Sequence, residues 1–138
     1  MGRNSNGKPG EQLALVWFAQ HNWRMFRSQP PTRNIMIKGR FSTILCKSDG
    51  IPDYMGYELV QIGSQLIPVF RAVEVKEAHG DTMPCSRLGS LTDPTSQNSW
   101  MSGIDHRCCF IAIYWIDCRC LNVYKWKVKG SYKMMEHI

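Results

Sequence analysis

At 138 residues, 43% hydrophobic and 20% charged, the chain is sized for one domain with a real core. Its longest apolar run falls well short of a membrane span, and the polar start (Met1 to Lys8) lacks a signal-peptide core, so a soluble, intracellular protein with no membrane partner is expected. Seventeen Lys and Arg against eleven Asp and Glu leave +6, which favours a polyanionic partner.

Residues 1–10 are rich in Gly, Asn, Ser and Pro and read as a flexible tail, leaving 11–138 as a single domain. Glu11 to His21 has the composition of a helix of about three turns, with Leu13, Val16, Trp17 and Ala19 leaving little polar face, so it is expected to be mostly buried. Glu11 lies in its first turn, where the helix dipole favours a carboxylate. Trp23 to Gln29 reads as a strand stopped by Pro30-Pro31, with Arg27 and Ser28 near its end. Pro31 to Asn34 reads as a loop carrying Arg33. Ile35 to Cys46 is partly strand, with Lys38 and Arg40 on it, and Ser48-Asp49-Gly50 is a turn by residue type.

The next stretch carries the chemistry. Asp53 to Val60 and Leu66 to Lys76 are strand-like runs separated by a turn at Gln61 to Gln65, the pattern of a hairpin. Such a hairpin brings Asp53 and Glu74 together at its open end. Alternation points Glu74 and Lys76 the same way and Val75 into the core. Two carboxylates and an ammonium in one small volume suit a divalent cation beside a phosphodiester. Gly56 suggests a close backbone approach or a bulge. Glu58, Arg71 and Glu77 fall on the opposite side from these groups, with Glu58 read as solvent-exposed.

Ala78 to Ser90 loses periodicity and reads as a long loop beside the site, with His79 and Arg87 available to phosphate. Leu91 to Met101 reads as a helix: Thr92 or Asp93 can cap it, Pro94 suits its first turn, and Gln97 and Trp100 share a face. Asp105 to Arg107 forms a turn, with His106 a surface residue there. Cys108 to Ile116 is apolar throughout, as in a strand buried on both faces. Leu121 to Lys129 alternates, with Tyr124, Trp126 and Val128 on one side. Lys125, Lys127 and Lys129 line the other, either along phosphates or as a solvated edge. Gly130 onward reads as a frayed end. The six cysteines lack metal-ligand spacing and read as free thiols, buried or half-buried.

Pro52-Asp53 followed by Glu74-Val75-Lys76 resembles the PD-(D/E)XK nuclease superfamily. The chain is most similar to the VRR-NUC family, through Gly50-Ile51-Pro52-Asp53, Gly56, Val73-Glu74-Val75-Lys76, Gly80 and Gln97. The helix followed by a strand bearing Arg27 and Ser28 also resembles archaeal Holliday junction resolvases. The similarity spans about Glu11 to Asp117.

The resemblance implies an α/β fold with a restriction-endonuclease-like core, a mixed central sheet flanked by helices. It implies Mg²⁺, replaceable by Mn²⁺, held by Asp53, Glu74, the Val75 carbonyl and Glu11. Lys76 and Gln97 would act at the phosphate or the attacking water. The function it implies is Mg-dependent hydrolysis of branched DNA, resolvase-like, by a homodimer placing two active sites on one junction. DNA contacts would come from Arg27, Ser28, Arg33, Lys38, Arg40, His79, Arg87, Lys125, Lys127 and Lys129. The alternatives are a nicking, flap, restriction or homing endonuclease of the same superfamily, or a catalytically silent nucleic-acid-binding module.

Overall fold

The computed structural model describes residues 9–28, 32–45, 51–89 and 96–136, setting aside the side chains of residues 32–37, 41–45, 97, 99 and 106. Helix α1 (Pro9–Gln20) leads into β1 (Trp23–Arg27). The hairpin of β2 (Thr32–Ile37) and β3 (Arg40–Leu45) follows, then the longer hairpin of β4 (Tyr54–Ile62) and β5 (Gln65–Ala78). After β6 (Thr82–Pro84) come a 3₁₀ turn (Cys85–Leu88), the short helix α2 (Gln97–Ser102) and a second 3₁₀ turn (His106–Cys108). The chain closes with β7 (Cys109–Trp115), β8 (Cys120–Lys125) and β9 (Ser131–Lys133). Five strands form the central sheet in the order β1-β4-β5-β7-β8. β7 runs parallel to β5 and every other neighbouring pair is antiparallel, so this is an α/β fold with a mixed central sheet. No helix among the described residues is long and apolar enough to cross a membrane.

Burial follows from strand alternation. All of β7 is buried because β5 and β8 flank it and both of its faces are covered. On one face Tyr54, Val73, Phe110, Ala112 and Val123 pack with Ala14 and Phe18 of α1. On the other, Ala72, Ile111, Ile113, Trp115 and Tyr124 pack with Met83, Leu88, Met101 and Tyr132 from the later part of the chain. Gly56 is fixed by close approach: a Cβ there would lie 2.0 Å from the Arg24 carbonyl oxygen across the β1–β4 pairing.

Several expectations need correction. α1 is not mostly buried. Gly10, Glu11, Ala14 and Phe18 form the narrow stripe that meets the sheet, and Leu13, Leu15 and Val16 are exposed because no described element covers that side of the helix. Residues 32–34, expected in a loop, belong to β2, where Arg33 pairs with Ile44 across the hairpin. Of the loop expected from Ala78 to Ser90, the described part, to Gly89, is no free loop. β6 pairs with β9, and Met83, Cys85 and Leu88 are buried, so three apolar anchors tie it down. The end expected to fray from Gly130 is likewise held as far as it is described, since Tyr132 in β9 is buried and its hydroxyl bonds both the N–H and the carbonyl of Lys127.

The lysine stripe is interrupted: β8 ends at Lys125, and Val128 is exposed rather than aligned with Tyr124. Glu58 is not free in solvent but is held by Arg71, at 2.8 and 3.0 Å. The Arg71 guanidinium also lies over the rings of Trp23 and Phe110. The cysteines are not all free: Cys118 and Cys120 form a disulfide across the β7–β8 turn, where Arg119 takes a positive φ, while Cys85, Cys108 and Cys109 are free thiols. Asp49, Cys46 and the expected cap of the helix after Leu91 lie outside the described residues.

Candidate active site

The start of β4 and the middle of β5 build the site. Their register sets Tyr54 opposite Val73, which puts Asp53, just before β4, level with Glu74. Two hydrogen bonds cross-link them. The Asp53 N–H donates to Glu74 Oε1 at 3.2 Å, and the Val75 N–H donates to Asp53 Oδ2 at 2.9 Å. Lys76, two residues beyond Glu74 and on the same face, places Nζ 3.5 Å from Glu74 Oε2. Ser28 fixes the approach to β4: its N–H donates to the Asp53 carbonyl at 2.8 Å and its hydroxyl donates to the Pro52 carbonyl.

Glu74 is only 3% exposed. Burial, and then the neighbouring Asp53 charge, push its carboxyl up to about 8, against the opposing pull of Lys76. Asp53 is also raised, chiefly by burial and also by the charge of Glu11. The Val75 N–H, Lys76 and Arg27 pull the other way. Two acids that resist ionising side by side form a place where added positive charge is favoured.

Glu11 reaches the same strand end from the α1 side of the sheet. It forms an ion pair with Arg27, and the Tyr54 hydroxyl donates to it at 3.3 Å. Arg27 stands opposite Tyr54 in the β1–β4 register, with its guanidinium over the Tyr54 ring. Arg27 is therefore not a free phosphate contact, and Ser28 is spent on the chain itself. Tyr54 is a site residue that sequence reasoning missed, although its place directly after Asp53 and opposite Arg27 was a usable signal.

The remaining expected residues lie on other elements of the fold. Gln97 begins α2, whose Met101 packs on the sheet face that carries Glu74 and Lys76, and the Gln97 side chain lies outside the described part. His79 and Arg87 are engaged within the chain, His79 3.6 Å from Asp117 Oδ1 and Arg87 donating to the Glu77 carbonyl at 2.9 Å. Lys38 and Arg40 sit exposed at the β2–β3 turn, and Lys125, Lys127 and Lys129 are exposed at the far edge. The side chain of Arg33 is outside the described part. The structure thus brings together Asp53, Glu74, Val75 and Lys76, with Glu11, Arg27 and Ser28 close by.

As a cation site the cluster has two carboxylates and the main-chain carbonyl of Val75. Among the described residues, no group of three or more His, Cys, Asp or Glu side chains stands close enough to hold an ion. That donor set suits Mg²⁺, which is commonly held by one or two carboxylates plus waters and substrate phosphate. It suits zinc poorly.

Compared with known protein families, with curated proteins and with solved structures, the chain finds no match.

Proposed function

We propose that the chain is a metal-dependent endodeoxyribonuclease with a restriction-endonuclease-like core, acting on branched DNA as a homodimer. The observation that carries this reading is the cross-linked pair of buried carboxylates, Asp53 and Glu74, with the Lys76 ammonium beside them. A strand-end cluster of this kind is expensive to bury as structure alone and gains when positive charge and a phosphate arrive.

Asp53, Glu74 and the Val75 carbonyl would hold Mg²⁺ or Mn²⁺. Such an ion, when bound, neutralises the phosphodiester and lowers the pKa of water beside it. Lys76 supplies a donor to a non-bridging oxygen where charge develops. Glu11, anchored by Arg27 and Tyr54, keeps a second negative charge within reach of Asp53 and orients the strand end, a positioning role. Selectivity would rest on DNA shape and backbone more than on base edges.

The test is cleavage of matched linear, flapped and four-way DNA with Mg²⁺, Mn²⁺, Ca²⁺ or chelator. Cutting with Mg²⁺ and Mn²⁺ but not with chelator is expected, strongest on the four-way substrate. Asp53→Asn and Lys76→Ala should lose cutting and keep DNA binding. Undiminished cutting in chelator would reject the mechanism, and equal cutting of linear DNA would reject the branched-substrate assignment.

A further inference from the structure

The sheet face that carries Glu74 and Lys76 is covered over β7 and β8 but open over β1 and β4 and the adjoining part of β5. Three aromatic residues stand there: Phe26 is 65% exposed, Phe70 42% and Tyr57 36%. The strand register orders them. Tyr57 pairs with both Phe70 and Arg24, and Phe26 pairs with Met55, which pairs in turn with Ala72. Counting from the carboxylates, Phe26 lies in the next row of side chains, and Arg24, Tyr57 and Phe70 lie in the row after. Rows on one face are about 7 Å apart. That is about twice the 3.4 Å advance of a stacked nucleotide, the spacing of a strand pulled open so that bases lie on rings rather than on each other.

Charge and shape point to the same occupant. Arg24 is exposed in the far row, and Lys76 flanks Glu74 at the near end, so cations bracket the track. A groove of about 470 Å³ adjoins it over the edge strand, lined by Leu15, Phe18, Trp23, Arg24, Phe26 and Tyr57. Among the described residues, no ring stacks on Phe26, Tyr57 or Phe70. We infer that Phe26, Tyr57 and Phe70 form a stacking platform for unpaired bases, leading a single strand of nucleic acid to the carboxylates. The inference rests on the nuclease reading and adds to it that the substrate is opened next to the cut.

The experiment measures fluorescence anisotropy of a labelled oligothymidylate, and separately of a blunt duplex, titrated with the full chain in chelator. Phe26→Ala, Tyr57→Ala and Phe70→Ala should each weaken oligothymidylate binding by about fivefold or more. Duplex binding should change less than twofold. Phe70→Tyr and Tyr57→Phe should bind as wild type. Arg24→Gln, which leaves the rings in place, should also weaken the single strand and lower its salt dependence.

Wild-type binding of the oligothymidylate by the triple alanine variant would overturn the platform, as would a wild-type chain that does not bind it. A fall in association state by ultracentrifugation with unchanged oligothymidylate affinity would make this face a contact between protein chains, and would also overturn it. Because binding is read in chelator, a chain that shows the stacking pattern but never cuts DNA would refute the nuclease reading and leave the platform standing.

Discussion

Glu74→Gln should make the metal-free protein more stable while abolishing cleavage. Folding raises the Glu74 carboxyl from the ordinary 4.5 to about 8, through burial and the neighbouring Asp53. Between those values the native state keeps a proton that the unfolded chain releases, so stability falls as pH rises across that window. Each pH unit costs about 1.4 kcal/mol, so the penalty near pH 7 is about 3 kcal/mol. Gln keeps the oxygen that accepts from the Asp53 N–H and removes the titration. The pull of Lys76 is already contained in the raised value, and the protonated native Glu74 has no ion pair to lose at pH 7. A net gain of about 3 kcal/mol at pH 7 is expected, or about 1–2 M in a urea midpoint. At pH 5 the wild-type penalty falls to under about 1 kcal/mol and the advantage should vanish. The assay is urea unfolding of both proteins in chelator at pH 5, 7 and 8. An equal gain at every pH, or none at pH 7, would refute the reasoning.

Four further outcomes follow from the same contacts. Mg²⁺ in excess should raise the melting temperature of the wild type and not of Asp53→Asn, since only the former offers both carboxylates; differential scanning fluorimetry reads this. Arg27→Met should cost about 1–3 kcal/mol by leaving the buried Glu11 without its ion-pair partner, and Glu11→Gln in the same chain should recover most of it in a double-mutant cycle. Gly56→Ala should cost about 3 kcal/mol or more, because the new methyl meets the Arg24 carbonyl and drives β1 off β4. Asn98→Ala should cost about 1–3 kcal/mol, since this buried amide bonds the Gly89 and Cys85 carbonyls and accepts from the Trp126 indole.

What the sequence disclosed was local. The β4–β5 hairpin, the all-apolar β7 and the facing of Asp53 against Glu74 follow from alternation and turn residues, both short-range signals. The pairings it hid are long-range. Nothing in Thr82 to Pro84 announces that it meets Ser131 to Lys133, so a paired and buried segment read as a loop followed by a frayed tail. The Arg71–Glu58 and Arg27–Glu11 pairs were missed for a related reason. Each charge taken alone looks solvated; the β4–β5 register brings Arg71 to Glu58, and the docking of α1 on the sheet brings Glu11 to Arg27. Counting three positions from Arg71 to Glu74 placed the Arg correctly on the other face, but the count could not say that Trp23 and Phe110 wait there.

The same register explains why the site sits where it does. β1 ends at Arg27, level with Tyr54, and the pairing tapers off one step later, where the Ser28 N–H bonds the Asp53 carbonyl. The Asp53 N–H is left over there and turns to the Glu74 carboxylate. A strand interior would consume that N–H in its ladder. The corner of the sheet is therefore a position where buried acids can be held by backbone donors and still face incoming solvent, ion or phosphate. Moving Asp53 two residues into β4 would keep its face but spend its N–H on the ladder, and the cross-link to Glu74 would be lost.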